Sequence, residues 1–361
     1  LYDHGVVFVE GDGTEWASNF WSISWLADNG LRPQGGQVVS RCCPGIGAQV
    51  FESGVFTNSD TSMAFEKVWV APHDDNTNWM IEYLKVWPLD GQTHTGITIG
   101  QATDWDIPCD DVPGADDRAN ADYPFNHGGI DPGNNLVWMQ GYECYCDGDT
   151  IYPYNCQYED ARYGGDAFIE SYFNGASHAT APYGAWAEEN DNTWAPGAGF
   201  LENVMYDYMT AGSWWAIDSV EDLHTGMCFE PSMTLADGDY YEVVTVLASV
   251  HEGALADLQS AVAAANTWYA NKGGMAMFAD DGNGQIDNCE VDCQVRGDIN
   301  GNSELNSADV IYFVDYLWKS GPPPPRPAEM DVNGNCQGNS ADLLYMVDYF
   351  WKGGPAPVPC E

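Results

Sequence analysis

Between residues 298 and 309, oxygen-bearing side chains recur at a fixed rhythm. Asp298, Asn300, Asn302, Asn306 and Asp309 stand at the first, third, fifth, ninth and twelfth places of a twelve-residue stretch. Calcium takes six to eight oxygens at one centre, and alternate residues of a tight loop can all supply them. The seventh place of such a loop gives its backbone carbonyl, here that of Glu304. Thirty-three residues on, the pattern returns as Asp331, Asn333, Asn335, Asn339 and Asp342, with Gln337 at the carbonyl place. The flanks return too: Val314-Asp-Tyr316 and Trp318-Lys319 reappear as Val347-Asp-Tyr349 and Trp351-Lys352. Fidelity over this length marks a duplicated structural unit, expected to hold two calcium ions.

The copies are not equal. The sixth place, usually glycine, is Ser303 in the first loop and Cys336 in the second, while the apolar eighth place is Leu305 in one and Gly338 in the other. The second loop is therefore the weaker match. A further stretch has Asp281, Asn283, Asp287 and Glu290 at calcium-loop spacing, but Ala279 at its first place. It reads either as a third calcium loop or as a solvated linker.

Each loop needs an element behind it. Val310, Ile311, Val314 and Leu317 form an apolar stripe at helical spacing after the first loop, and Leu343, Leu344, Val347 and Phe350 form one after the second. No helix leads into either loop, since Cys293–Gly297 and the tract Gly321-Pro-Pro-Pro-Pro-Arg-Pro327 cannot form one. Loop then helix, twice, each loop closed by Asn-x-x-Asp, resembles the dockerin family. The resemblance implies that calcium holds the two helices for docking onto a β-sandwich cohesin. It also implies that the two residues before each closing Asp help set partner choice, here Ser307-Ala308 and Ser340-Ala341. Their identity in the two halves implies two related binding modes. The alternative is a calcium-stapled terminal cap with no external partner.

Upstream, the chain reads as strands. Gly5–Glu10, Met63–Val70, Met80–Trp87 and Tyr240–Val250 are apolar or alternating runs rich in Val, Ile and aromatics, separated by turns of Gly, Asp, Asn and Pro. Many short strands of this kind predict a mainly β fold, a sandwich or jelly roll. One helix is predicted from Leu255, Leu258, Val262, Ala265 and Tyr269, stopped by Gly273-Gly274 and closing the domain. This strand and helix, with Asp104-Trp-Asp-Ile107, resemble secreted bacterial β-sandwich domains that precede dockerin repeats. The expected organisation is a β domain over 1–274, an acidic linker over 275–295 and a small α-helical calcium-binding domain over 296–361. The first ten residues read as an edge strand of their own sheet or a strand donated to a neighbouring molecule.

Against 55 Asp and Glu stand 11 Lys and Arg, a formal charge of -44. Such a chain repels nucleic acid and anionic membranes. No apolar run reaches membrane-spanning length. Eleven cysteines, some clustered, suit an oxidising exterior, and the absence of Cys-x-x-Cys disfavours a zinc ribbon. Cys336 with Cys360 is a candidate staple for the second loop; Cys289 and Cys293 are further disulfide candidates, and the odd count leaves one thiol over. A start at Leu1 without a charged-then-apolar leader is expected of a mature secreted protein.

No catalytic signature stands out: G-x-S-x-G, H-E-x-x-H and a phosphate loop are all missing. Asp104 and Asp106 would share one strand face, as chance allows in so acidic a chain, and the seven histidines are scattered. Trp214-Trp215 and Trp21 near Trp25 are the best candidates for stacking on a glycan. The expectation is a secreted, calcium-stabilised assembly protein without catalytic activity. It would associate with other copies of itself through its first strand and its loop–helix domain. The alternative is a carbohydrate-binding or carbohydrate-active module anchored to a cohesin-like scaffold.

Overall fold

The computed structural model describes residues 3–11, 15–18, 31–33, 39–43, 46–73, 77–105, 127–146, 156–190, 194–195, 199–217, 223–280, 286, 289, 293–335 and 337–359. Two compact units divide the chain. The first takes in Leu1–Val39, Phe51–Val70 and Asp75–Ala270; the second takes in Ser40–Val50, Ala71–Asp74 and Asn271–Glu361.

The fold is mainly β. A six-stranded sheet runs in the order β16 (Trp214–Ala216), β13 (Gly184–Glu189), β17 (Leu223–Leu235), β8 (His94–Asp104), β1 (Asp3–Glu10), β2 (Glu15–Ser18). A ten-stranded sheet begins with β3 (Arg32–Pro33), β5 (Ala48–Thr57), β6 (Met63–Pro72) and β7 (Trp79–Pro88). It continues with β18 (Tyr241–Val250), β11 (Cys156–Phe173), β10 (Leu136–Cys146) and β9 (His127–Asp131), with β4 (Val39–Cys43) beside β5 and β12 (Ala176–Ala179) beside β11. A short ladder joins β14 (Trp194–Ala195) and β15 (Gly199–Phe200).

The main core of the first unit lies between these sheets. Val6 and Phe8 of β1 and Phe229 of β17 meet Phe65 of β6, Val86 of β7 and Phe168 of β11. Phe8 stands edge-on to Phe65 with ring centroids 5.1 Å apart. Because side chains alternate along a strand, Val7 and Val9 point to the opposite face, where they join Trp186, Met205 and Met209. The two methionines come from α1 (Glu202–Thr210), spaced four residues apart on its buried face. The predicted closing helix is α2 (Leu255–Asn271), which buries Leu258, Ala261, Val262, Ala265 and Tyr269. It lies on the outer face of the ten-stranded sheet, where Trp268 meets Trp79 and Leu258 covers Gly165, whose missing Cβ leaves the room.

Residues 3–10 are thus an interior strand of their own sheet. β1 pairs antiparallel with β8 over Asp3–Val9 and with β2 over Val7–Glu10. Both of its faces are buried.

The second unit holds α3 (Ser307–Lys319) and α4 (Ser340–Lys352) around Ile299, Val310, Phe313, Val332, Leu343 and Met346. Cys43 is bonded to Cys289, and Cys42 and Cys293 are also in disulfides. Residues 40–50 therefore belong with a unit otherwise made of residues 71–74 and the C-terminal quarter of the chain. Cys228, buried, is the free cysteine among the described residues. Cys336 and Cys360 lie outside them.

Truncating Phe8 to Ala removes a fully buried ring from the middle of the first core and should cost about 3–5 kcal/mol of stability. Chemical denaturation followed by tryptophan fluorescence reads this directly; a loss below about 1 kcal/mol would contradict the placement of β1.

Candidate metal centres

Each acidic loop is closed on itself by its own amides. Asp298 accepts from the Asn302 N–H at 3.0 Å and the Ser303 N–H at 2.6 Å, Asn300 accepts from Asn302, and Asn302 accepts from Glu304. Asp309, at the twelfth place, accepts from Asn300 and Asn306. Asn306 caps α3, its side chain taking the Ala308 N–H while Asp309 reaches back to its backbone. The turn depends on left-handed backbone at Gly301 and at Ser303, whose φ is 66°, an uncommon conformation for a residue with a side chain.

The second loop repeats these bonds, except that the counterpart of Ser303 is Cys336, which lies outside the described residues. Asp331 accepts from Asn335, Asn333 from Asn335, Asn335 from Gln337, and Asp342 from Asn333 and Asn339. Asn339 caps α4 as Asn306 caps α3. Gly338, the departure at the eighth place, has a packing explanation. In the first copy Leu305 covers Gly297; in the second, Met330 stands at the position of Gly297 and covers Gly338. Large and small residues have exchanged sides, so the space beside the loop stays filled.

Within each loop two carboxylates are buried together. Burial raises the Asp309 carboxyl above the usual range, and the charge of Asp298 adds to the push. Asp342 is raised in the same way by burial and by Asp331. Among the described residues Asp309 and Asp342 accept only backbone N–H groups and have no cation beside them. A buried like-charged pair ringed with amide oxygens suits a hard divalent cation, which would relieve the repulsion and need no thiolate or imidazole. Asp281, Asn283, Asp287 and Glu290, the third candidate set, lie outside the described residues.

The helices behind the loops expose matching side chains. Ile311 and Leu344 are both 63% exposed, and Trp318 and Trp351 are 61% and 59% exposed. Ser307, Ile311 and Trp318 recur at spacings of four and seven, so they line one helix face, as do Ser340, Leu344 and Trp351. Ser307, Ala308, Ser340 and Ala341 are exposed on the first turn of each helix.

In the first unit a cluster that sequence spacing does not reveal lies between the sheets. His4 of β1, Glu82 of β7 and Asp166 of β11 bring ligand atoms within 4.8 Å of one another. The His4 Nε2 stands 2.9 Å from Glu82, and the Lys67 ammonium stands 3.1 Å from Glu82 and 3.2 Å from His4. Lys67 therefore already supplies the positive charge a metal would bring. Trp69 donates to Glu82 at 2.8 Å. The Thr103 hydroxyl donates to Asp166 and stands 2.7 Å from the His4 Nδ1, so it accepts a hydrogen bond from that nitrogen. Gln101 donates to Asp166 as well. Burial alone would raise the Glu82 carboxyl, but His4 and Lys67 outweigh it and hold the group well below the usual range. Burial pushes Asp166 up to about 6, with Glu82 adding to the push and His4 opposing it. The cluster is a buried, hydrogen-bonded brace that ties β1 to the opposite sheet.

The remaining candidates are packed structure or lie outside the described residues. Asp104 is buried and accepts from Asn190, whereas Asp106 lies outside. His224 is wholly buried, and burial pushes its imidazole down to about 3. Trp215 stacks on Trp186 and stands edge-on to Tyr208, and Trp214 packs against the main core, so neither is a free platform for a sugar. Trp21 and Trp25 lie outside the described residues.

Changing Glu82 to Gln leaves His4 and Lys67 buried without their counter-charge and should cost about 3–5 kcal/mol at neutral pH. Asp166 acts with the opposite sign. Its carboxyl is raised in the folded chain, so the stability it contributes is full below the ordinary aspartate value and is lost as pH rises through about 6. Asp166→Asn should remove that loss. Unfolding measured at pH 4 and pH 7 should show the variant gaining stability relative to the parent at the higher pH; equal slopes would contradict the assignment.

No family model matches the chain, and no curated protein matches it. Among solved structures, a bacterial glucoamylase complexed with acarbose is similar over 74% of this chain and 31% of that one, at 12% sequence identity and a TM-score of 0.34. The chain spans under a third of that enzyme's length, and a likeness of this strength carries no argument about activity.

Proposed function

We propose that this chain is an extracellular, calcium-stabilised assembly protein that associates with further copies of itself through the two helix stripes of its second unit. The carrying observation is the doubled stripe: Ser307, Ile311 and Trp318 on one helix and Ser340, Leu344 and Trp351 on the other, all exposed, with the aliphatic and the tryptophan pairs matched to within a few per cent. Solvent-facing tryptophan and branched aliphatic side chains at equivalent positions of a repeat have no packing role within the chain, and such residues anchor protein interfaces. Calcium at the two loops would fix the capped first turn of each helix and so set the stripes. The disulfides support an oxidising setting.

The partner is another copy because one chain carries both the dockerin-like stripes and a two-sheet body of the kind such stripes dock on. A stripe-to-body contact is head-to-tail, and head-to-tail contacts that do not close into a ring grow into filaments. The first strand takes no part, being buried on both faces in its own sheet. Charge sets the conditions. Copies carrying a formal charge of -44 repel at low salt, so divalent cation and ionic strength should both favour assembly.

Light scattering in calcium and after chelation tests the proposal. The parent chain should assemble in calcium and fall to monomers in chelator, and the double variant Ile311→Asp/Leu344→Asp should remain monomeric in calcium with its circular dichroism unchanged. A parent that is monomeric in both conditions would remove self-association and assign the stripes to a different protein, such as a cohesin-like scaffold.

A further inference from the structure

Each acidic loop is held by an arginine from the segment that precedes the other loop. Arg296 lies two residues before the first loop, yet its Nη1 donates to the second loop, reaching the Asp331 side chain at 2.9 Å and the Asp331 carbonyl at 2.8 Å. Arg326 lies five residues before the second loop, yet its Nη2 donates to Asp298 of the first at 3.1 Å. The two carboxylates share a pattern. In each, Oδ1 takes the amide of the loop's fifth residue and Oδ2 takes the arginine, and Asp298 Oδ2 takes the Ser303 N–H as well. All four side chains are largely buried, with exposures of 14% or less.

The two crossings are joined. Glu329, wholly buried, accepts from the Arg326 Nε at 2.8 Å and from the amides of Gln294 and Val295, and its carbonyl accepts from Gly297. A continuous path therefore runs from Asp298 through Arg326 and Glu329 to the backbone beside Arg296, and on to Asp331. The exchange is not simple duplication. Arg296 and Glu329 occupy the same place in the 33-residue repeat, so a cation in one copy answers an anion in the other.

We propose that Arg296 and Arg326 couple the two loops, so that calcium at one raises the affinity of the other. The proposal rests on the reading of both loops as calcium sites. Ordering the first loop fixes the backbone that carries Arg296 and thereby the rotamer of Asp331; ordering the second fixes the segment of Arg326 and thereby Asp298. Whichever loop binds first bears the ordering cost of the shared path, and the second binds an oriented carboxylate. The arginines bond Oδ2 and leave Oδ1 to the amide of the fifth residue, and a guanidinium has no acceptor to offer a cation, so they are positioning residues, not ligands.

Calorimetric titration of the full chain with calcium tests this. In the parent, disabling the second loop with Asp342→Asn should weaken binding at the first by about tenfold, within the usual span of coupling between sites. In chains that also carry Arg296→Gln and Arg326→Gln, the same Asp342→Asn change should leave first-loop affinity unaltered. Lysine at both arginine positions keeps the charge but has one nitrogen where Arg326 uses Nε for Glu329 and Nη2 for Asp298, so it should leave only a fraction of the coupling; this pair serves if the glutamine pair fails to fold. Independent sites in the parent, or undiminished coupling in the arginine variants, would overturn the proposal. So would tighter calcium binding in those variants, which would make the arginines competitors for the ion. A parent that binds no calcium removes the calcium reading itself, and the coupling with it.

Discussion

Positive charge is the scarce material of this chain. With 55 acidic residues and 11 lysines and arginines, a carboxylate taken out of water cannot count on a protein cation. The few cations placed among buried carboxylates are committed to particular ones: Lys67 to Glu82 between the sheets, Arg296 to Asp331, and Arg326 to Asp298 and Glu329. Asp309 and Asp342 receive backbone amides instead. The same shortage leaves the closing carboxylates of the two loops with no cation beside them among the described residues.

What the sequence reveals about these loops follows from their local nature. The ligand rhythm, the capping Asn306 and Asn339 and the apolar stripes of the two helices all act within a dozen residues, so spacing alone displays them. The β character of the first unit is legible for the same reason, since alternation is a property of single strands. The helix with Met205 and Met209 escapes notice because its nine residues carry only two buried positions, too few for a period to stand out.

The rest depends on partners that are far apart in the chain. His4 and Glu82 are 78 residues apart, Thr103 and Asp166 are 63, and nothing in either neighbourhood announces the other. The arginine crossings hide in another way. Arg296 and Arg326 do not fall at equivalent places in the repeat, so aligning the two copies sets neither beside its target. The exchange of Leu305 and Gly297 for Gly338 and Met330 reads as a defect in one dimension and as conserved volume in three.

The bond between Cys43 and Cys289 bears on how the second unit could be lost. The acidic stretch from 275 to 295 follows the end of the first unit in the chain, and a single cut there would ordinarily release everything after it. Here a cut before residue 289 leaves the loops, helices and stripes covalently held through residue 43, which is continuous with the first unit. Release takes both hydrolysis and a reductant. Where no reductant is present, the connection therefore outlasts its own backbone.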